Sequence, residues 1–207
     1  STIWTKPNPS AIDSAEIQAV HSWVEKGGSL LLIADHQPFP GSAAELVKAF
    51  GFEFVNEWVV DTVDNNFKLK RKPITFRSSD NSLTDHVIRQ GRSEDEGVDS
   101  LTTFTGQAFK CDDCEPLLVF GKGPRSFQVE HPREIDEKTI SFSAEGWLQG
   151  AAKKVGKGRV VVFGEAAAFS AQTIKEKGKK DRYAGMNRKI AGQNFRYLLN
   201  VMSWLSE

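Results

Sequence analysis

Gly27-Gly28-Ser29-Leu30-Leu31-Leu32-Ile33-Ala34-Asp35-His36 is the stretch on which the reading of this chain turns. Residues 30–34 are continuously apolar, without the alternation of a strand wet on one face. They therefore read as a strand covered on both faces within a parallel sheet. The run ends abruptly in Asp35 and His36, two adjacent side chains that can carry charge and exchange protons. A buried strand delivering those two residues to its carboxyl end organises the rest of the reading.

Upstream, Pro7 and Pro9 favour extended backbone before them and mark a loop. Asp13 with Glu16 then forms a capping box, Ile12 and Ile17 sit at staple positions, and Ile17, Val20 and Val24 make a buried helical stripe. Gly27-Gly28 ends this helix, so helix and strand form one unit. Downstream, Pro38 and Pro40 make residues 37–41 a loop, and Ser42 with Glu45 predicts a second capping box opening a short helix.

Residues 52–60 are apolar and β-branched enough for one strand or two short ones. The basic run 68–72 reads as a solvated edge or loop. Residues 80–91 predict a turn and a short helix, 98–109 and 117–120 strands, and 125–145 a β-rich excursion on the rim. Two strands, 147–153 and 159–164, flank Gly156-Lys157-Gly158, and the second of them ends in an acid, Glu165. Residues 166–172 read as a helix start and 175–182 as a charged loop. A final helix over 191–205 is expected to bury Phe195, Leu198, Leu199, Met202 and Leu205.

Composition narrows the classes of function. Lys and Arg equal Asp and Glu at 27 each, so the basic footprint that phosphate neutralisation demands is absent and no nucleic-acid partner is expected. No apolar run reaches the ~20 residues of a membrane span. The 207 residues predict a single domain, 1–207, of a soluble protein. The Gly-x-Ser-x-Gly elbow, the Walker phosphate loop, the dinucleotide glycine fingerprint and His-Glu-x-x-His are all missing. Cys111-Asp112-Asp113-Cys114 has half the spacing of a zinc or redox motif, but Glu115-Pro116 argues against a helix after it, so it reads as a surface turn.

In open α/β sheets ligands bind beyond the carboxyl ends of strands, which gives polar residues there a positional argument as well as a chemical one. Asp35, His36 and Glu165 are the candidate catalytic residues, able to act as acid and base or to hold a divalent metal through oxygen and nitrogen. Gln37, Thr105, Gln107 and Gln172 are candidate substrate-binding residues. His21, His86 and His131 sit on a helix face or in polar rim segments and rank below them.

Two stretches carry a family resemblance: Trp23-Val24-Glu25-Lys26-Gly27-Gly28-Ser29-Leu30-Leu31-Leu32-Ile33-Ala34-Asp35-His36 and Gly156-Lys157-Gly158-Arg159-Val160-Val161-Val162-Phe163-Gly164-Glu165. The chain resembles the class I glutamine amidotransferase-like superfamily. It is most similar to an uncharacterised bacterial branch through residues 34–41, 103–109 and 194–205. The resemblance implies a flavodoxin-like α/β fold, an open, mostly parallel sheet with helices on both faces. It also implies an upstream segment with a first strand, often behind an export signal, so the chain is expected to belong to an exported bacterial protein.

In amidotransferases the matching strand ends at a nucleophilic cysteine. Here that place holds Ala34-Asp35-His36, which implies no glutamine hydrolysis by a thiolate. Cysteine-less members of the superfamily, in intraflagellar-transport and gliding-motility proteins, look like binding or scaffold modules. The expectation is therefore a hydrolase acting on a small molecule or glycan, with a non-catalytic ligand- or protein-binding module as the alternative.

Overall fold

The computed structural model describes residues 4–61, 72–131, 134–136, 138–175 and 178–207. Of the basic run 68–72, only Lys72 lies among them. Helix α1 (Ser14–Glu25) begins at the expected box: Asp13 accepts the Glu16 N–H at 2.9 Å, and the Glu16 carboxylate accepts the Asp13 N–H at 2.9 Å. Gly27, at φ 115°, turns the chain into β1 (Ser29–Ile33) with a backbone angle that a Cβ would oppose.

Helix α2 (Phe39–Ala49) starts earlier than the Ser42–Glu45 pair predicts. Its N-cap is Pro38, without a side-chain cap, and the Ser42 hydroxyl instead donates back to the Pro38 carbonyl at 3.4 Å. Proline in the first turn is compatible with the helix because the N–H it lacks would have no partner there. The prolines read as a loop therefore open the helix.

Then follow β2 (Glu53–Phe54), β3 (Trp58–Asp61), β4 (Ile74–Arg77), the single-turn helix α3 (Val87–Gln90), β5 (Ser100–Thr103), β6 (Phe109–Lys110), β7 (Glu115–Val119), β8 (Pro124–Phe127) and β9 (Ser141–Ser143). The chain closes with β10 (Leu148–Val155), β11 (Gly158–Phe163), β12 (Ala171–Ile174), β13 (Arg182–Gly185) and α4 (Asn194–Leu205).

The flavodoxin-like expectation is wrong. The main sheet runs β1-β11-β10-β6-β2 with β7 also on β10, and of its pairings only β1–β11 is parallel. The cause lies in Gly156-Lys157. Val155 faces Gly158 across this two-residue turn, with Gly156 at φ 58°, so β10 must lie antiparallel to β11. A parallel neighbour would need a crossover of a dozen or more residues, and there is no room for one.

Strand β1 lies at the sheet edge, and each of its residues is only half-buried. The segment 166–172, read as a helix start, is a 3₁₀ turn (Ala167–Phe169) leading into β12, and of the expected charged loop 175–182 Arg182 belongs to β13, while residues 176 and 177 lie outside the described residues. Three small antiparallel sheets, β3-β8-β9, β4-β5 and β12-β13, complete a sheet-rich architecture.

Two apolar layers enclose the main sheet. On one face Val24, Leu46, Val47 and Phe50 of the first two helices pack on Leu148, Ala151, Val160 and Val162. On the other, Tyr197, Val201 and Trp204 of α4 pack with Val161, Phe163, Leu101 and Phe120. The alternation of Val160, Val161, Val162 and Phe163 between these layers is the period-2 geometry that an uninterrupted apolar run conceals. No helix of the described residues is long and apolar enough to cross a membrane.

The stripe expected on α4 is rotated. Asn194, Tyr197, Val201, Trp204 and Leu205 face inward, whereas Phe195, Leu199 and Met202 are about half exposed. Asn194 sets that rotation. Fully buried, it accepts the Thr102 N–H at 3.0 Å and donates to the carbonyls of Thr102 at 2.7 Å and Ala168 at 3.0 Å, standing in for the strand neighbour that β5 lacks on that edge.

Asn194→Ala should destabilise the protein by about 3 kcal/mol, because it leaves three buried backbone groups without partners. Urea denaturation at neutral pH measures this, and Phe195→Ala on the same helix should cost under about 1 kcal/mol.

Candidate functional site

The register of the parallel pair builds the site. Ile33 lies opposite Phe163, so Asp35 and Glu165, each two residues further on, emerge at the same level from adjacent strands. A loop from β5 closes on them. The Gln107 N–H donates to the Gly164 carbonyl at 2.8 Å, and the Thr105 hydroxyl donates to Asp35 Oδ1 at 3.4 Å. Gly106 makes this approach with φ 111°; a Cβ there would stand 2.2 Å from the Gly164 carbonyl oxygen and 2.9 Å from Glu165 Cβ. Only glycine fits both the angle and the gap.

Glu165 is 1% exposed. Its Oε1 accepts the Ala167 N–H at 3.0 Å and its Oε2 the Ala168 N–H at 2.6 Å, so both oxygens cap the 3₁₀ turn that follows. Burial, and then the negative charge of Asp35, push its carboxyl up to about 8, against the opposing pull of the backbone N–H groups. Asp35 is half-buried and also accepts the His36 N–H at 2.8 Å through Oδ1. Glu165 therefore keeps its proton at neutral pH beside the Asp35 carboxylate.

His36 takes a different direction. Its Nδ1 lies 2.8 Å from the Gln37 carbonyl, which can only accept, so Nδ1 carries a proton and donates it there. The imidazole stacks on Trp58, with centroids 4.3 Å apart and planes at 16°. Gln37 is buried beside it, donating to the carbonyls of Trp4 and Glu130, and so ties the first described residues to the rim.

Gln107 belongs to the Asp35–Glu165 group. It is fully buried, its Nε2 donates to the Ala34 carbonyl at 3.3 Å, and its Oε1 has no partner. Gln149, absent from the sequence-based candidates, completes the group from the start of β10. It too is fully buried, donates through Nε2 to the Thr105 carbonyl at 3.0 Å, and leaves Oε1 unpaired. A glutamine between Leu148 and Gly150 in an apolar strand was the available signal, masked by its position inside a strand rather than after one.

Gln172 does not join them. It is exposed on β12 and donates to the Ser170 hydroxyl at 3.2 Å. Nor do Asp35, His36 and Glu165 converge as metal ligands: no group of three or more His, Cys, Asp and Glu side chains among the described residues could hold an ion. Both Glu165 oxygens and the His36 Nδ1 are already engaged, so these residues do not fit a divalent metal.

His86, read as a rim residue, is buried. Its Nδ1 accepts the Ile88 N–H at 3.1 Å to cap α3, and its Nε2 donates to Glu115 at 3.0 Å. Burial lowers its pKa despite that carboxylate. Cys111 and Cys114 are free thiols in the β6–β7 turn, and burial raises both above the ordinary thiol value, the opposite of an activated redox cysteine.

No family model matches the chain, and no curated protein matches it. Among solved structures, the mmIFT52 N-terminal domain superposes with a TM-score of 0.61 at 15% identity, over 95% of this chain and 72% of that one. This shows a shared fold, and at that identity nothing more. Cytoplasmic protein STM1381 from Salmonella typhimurium LT2 aligns at 0.38 and 14% identity, over 74% of this chain and 50% of that one. Exo-beta-1,4-mannosidase Op5Man5 from Opitutaceae bacterium strain TAV5 aligns at 0.35 and 16%, over 74% and 19%. This chain spans half or less of each of these last two.

Because Glu165 keeps its proton to about 8 when folded and loses it near 4.5 when unfolded, the native state binds the extra proton between those values. Its stabilising contribution is complete below about 4.5 and is lost as pH rises towards 8. Asp35→Asn removes the neighbouring charge and should flatten that decline, as seen in chemical denaturation midpoints from pH 5 to 8.5. An unchanged slope would mean that Asp35 does not act on Glu165.

Proposed function

We propose that the chain is a non-catalytic ligand-binding module whose strand-end site receives the N–H or O–H donors of a small polar molecule. The observation that carries this reading is the pair of fully buried acceptors, Gln107 Oε1 and Gln149 Oε1, left without partners beside Asp35 and Glu165. An unsatisfied buried acceptor costs about 1–3 kcal/mol, so two in one cluster favour an occupant that donates to them. Their amide nitrogens are committed to the Ala34 and Thr105 carbonyls, which fixes the orientation of both side chains.

The local geometry favours binding over hydrolysis. Glu165 spends both oxygens on backbone N–H groups, and the imidazole of His36 is held by the Gln37 carbonyl and the face of Trp58. General acid–base catalysis needs an acid and a base within reach of one shared proton path, and among the described residues no hydrogen bond links Glu165 to His36. Asp35, half-buried beside these acceptors, adds a carboxylate suited to orient a donor-bearing ligand such as a sugar hydroxyl or an amine. This keeps the small-molecule or glycan ligand of the sequence reading and sets its catalysis aside. A cysteine-less member of the glutamine amidotransferase-like superfamily would be compatible with such a role.

A thermal-shift screen of monosaccharides, amino alcohols and amides tests the proposal. A ligand at about 100 times its Kd should raise Tm by about 5 °C in the intact protein and by under about 1 °C in Asp35→Asn. Turnover of ester, phosphate or glycoside substrates that is lost in Asp35→Asn, with folding intact, would reverse the reading in favour of a hydrolase.

A further inference from the structure

Segment 171–189 carries seven basic and two acidic residues, an excess of five positive charges in a chain whose total is zero. Its described part forms the β12–β13 ribbon, with Thr173 opposite Tyr183 and Ile174 opposite Arg182. Residues 171–175 and 178–183 are exposed, among them Lys175, Lys179 and Lys180, and Arg188 and Lys189 follow beside the base. Among the described residues no third strand joins either edge of this ribbon. At its base, Met186 donates to the Ser170 carbonyl and Asn187 Nδ2 to the Gln172 carbonyl, which leaves the distal pairs as the open part.

An open strand edge offers backbone donors and acceptors to any extended chain, and lysines along it are the usual defence against unwanted pairing. That defence is selective. It repels a second copy of this ribbon and any basic strand, and it attracts a strand that carries carboxylates.

We propose that the β12–β13 ribbon is a docking edge for an acidic, extended segment of a partner protein, held by strand addition and lysine–carboxylate pairing. Two observations favour a polypeptide over other polyanions. Backbone edges of this kind are complementary to another backbone, whereas a phosphate polymer would use only the charge. Ile174 and Tyr183, the large apolar side chains here, belong to successive cross-strand pairs and so lie on opposite faces, giving no single apolar face to enter a lipid surface. The ribbon follows the turn capped by Glu165 in the chain, and its exposed distal pairs use none of the ligand-site residues.

The test is anisotropy of a fluorescein-labelled peptide of six Glu-Thr repeats titrated with the intact chain. The expected result is saturable binding that weakens about tenfold between 50 and 300 mM salt. The doubly substituted Lys175→Glu, Lys180→Glu variant should bind about tenfold more weakly with unchanged Tm. A peptide of six Glu-Pro repeats, with equal charge but no N–H at alternate positions, should bind at least about tenfold more weakly, because strand pairing needs those donors. Any of four results overturns the proposal: no binding of the Glu-Thr peptide, equal binding of the Glu-Pro peptide, indifference to charge reversal, or duplex DNA or phosphatidylserine vesicles binding as tightly.

Discussion

The backbone of one residue, Gly164, holds the site together. Its N–H donates to the Gln149 carbonyl at 2.8 Å and its carbonyl accepts the Gln107 N–H at 2.8 Å. The end of β11 is thereby joined to the start of β10 on one side and to the loop after β5 on the other. A Cβ on Gly164 would stand 2.6 Å from the Gln107 carbonyl oxygen, so the junction tolerates no side chain. Without it the carboxyl of Glu165 would open to water, and the buried amides of Gln107 and Gln149 would lose their fixed positions.

Much of this was legible from residues alone. The Asp13–Glu16 box, the two apolar strands and the acidic residues just past them follow from short-range chemistry, and they lie where periodicity and capping rules predict. What failed was the step from strand to sheet. An uninterrupted run such as 30–34 says that both faces meet apolar matter, but it does not say in which direction the neighbours run. The direction was written in Gly156-Lys157, where a two-residue turn enforces a hairpin, and in 171–185, where hairpin pairing overrides the helix formers.

The site was half visible for a related reason. Asp35, Glu165, Thr105 and Gln107 could be found because they follow strands. Gln149 begins one and was missed, since in an antiparallel neighbour the same end of the sheet is reached by the start of the strand. His36 was grouped with Asp35 by adjacency, yet successive residues leaving a strand point apart, and its ring turns to Trp58. Gln172 ends the stretch that reads as a helix start; because that stretch becomes a ribbon, the residue lies exposed on it.

The turn between β6 and β7 holds two thiols that are half-buried and unusually reluctant to ionise. Thiol reagents attack the thiolate, so the closed protein should be nearly inert to them. The rate at which these cysteines are labelled then becomes a clock for how often this corner of the sheet opens. The corner lies against the same apolar layer as α1 and α2. The chain thus carries an intrinsic reporter of breathing in the layer that backs its strand ends, readable without any added probe in the protein.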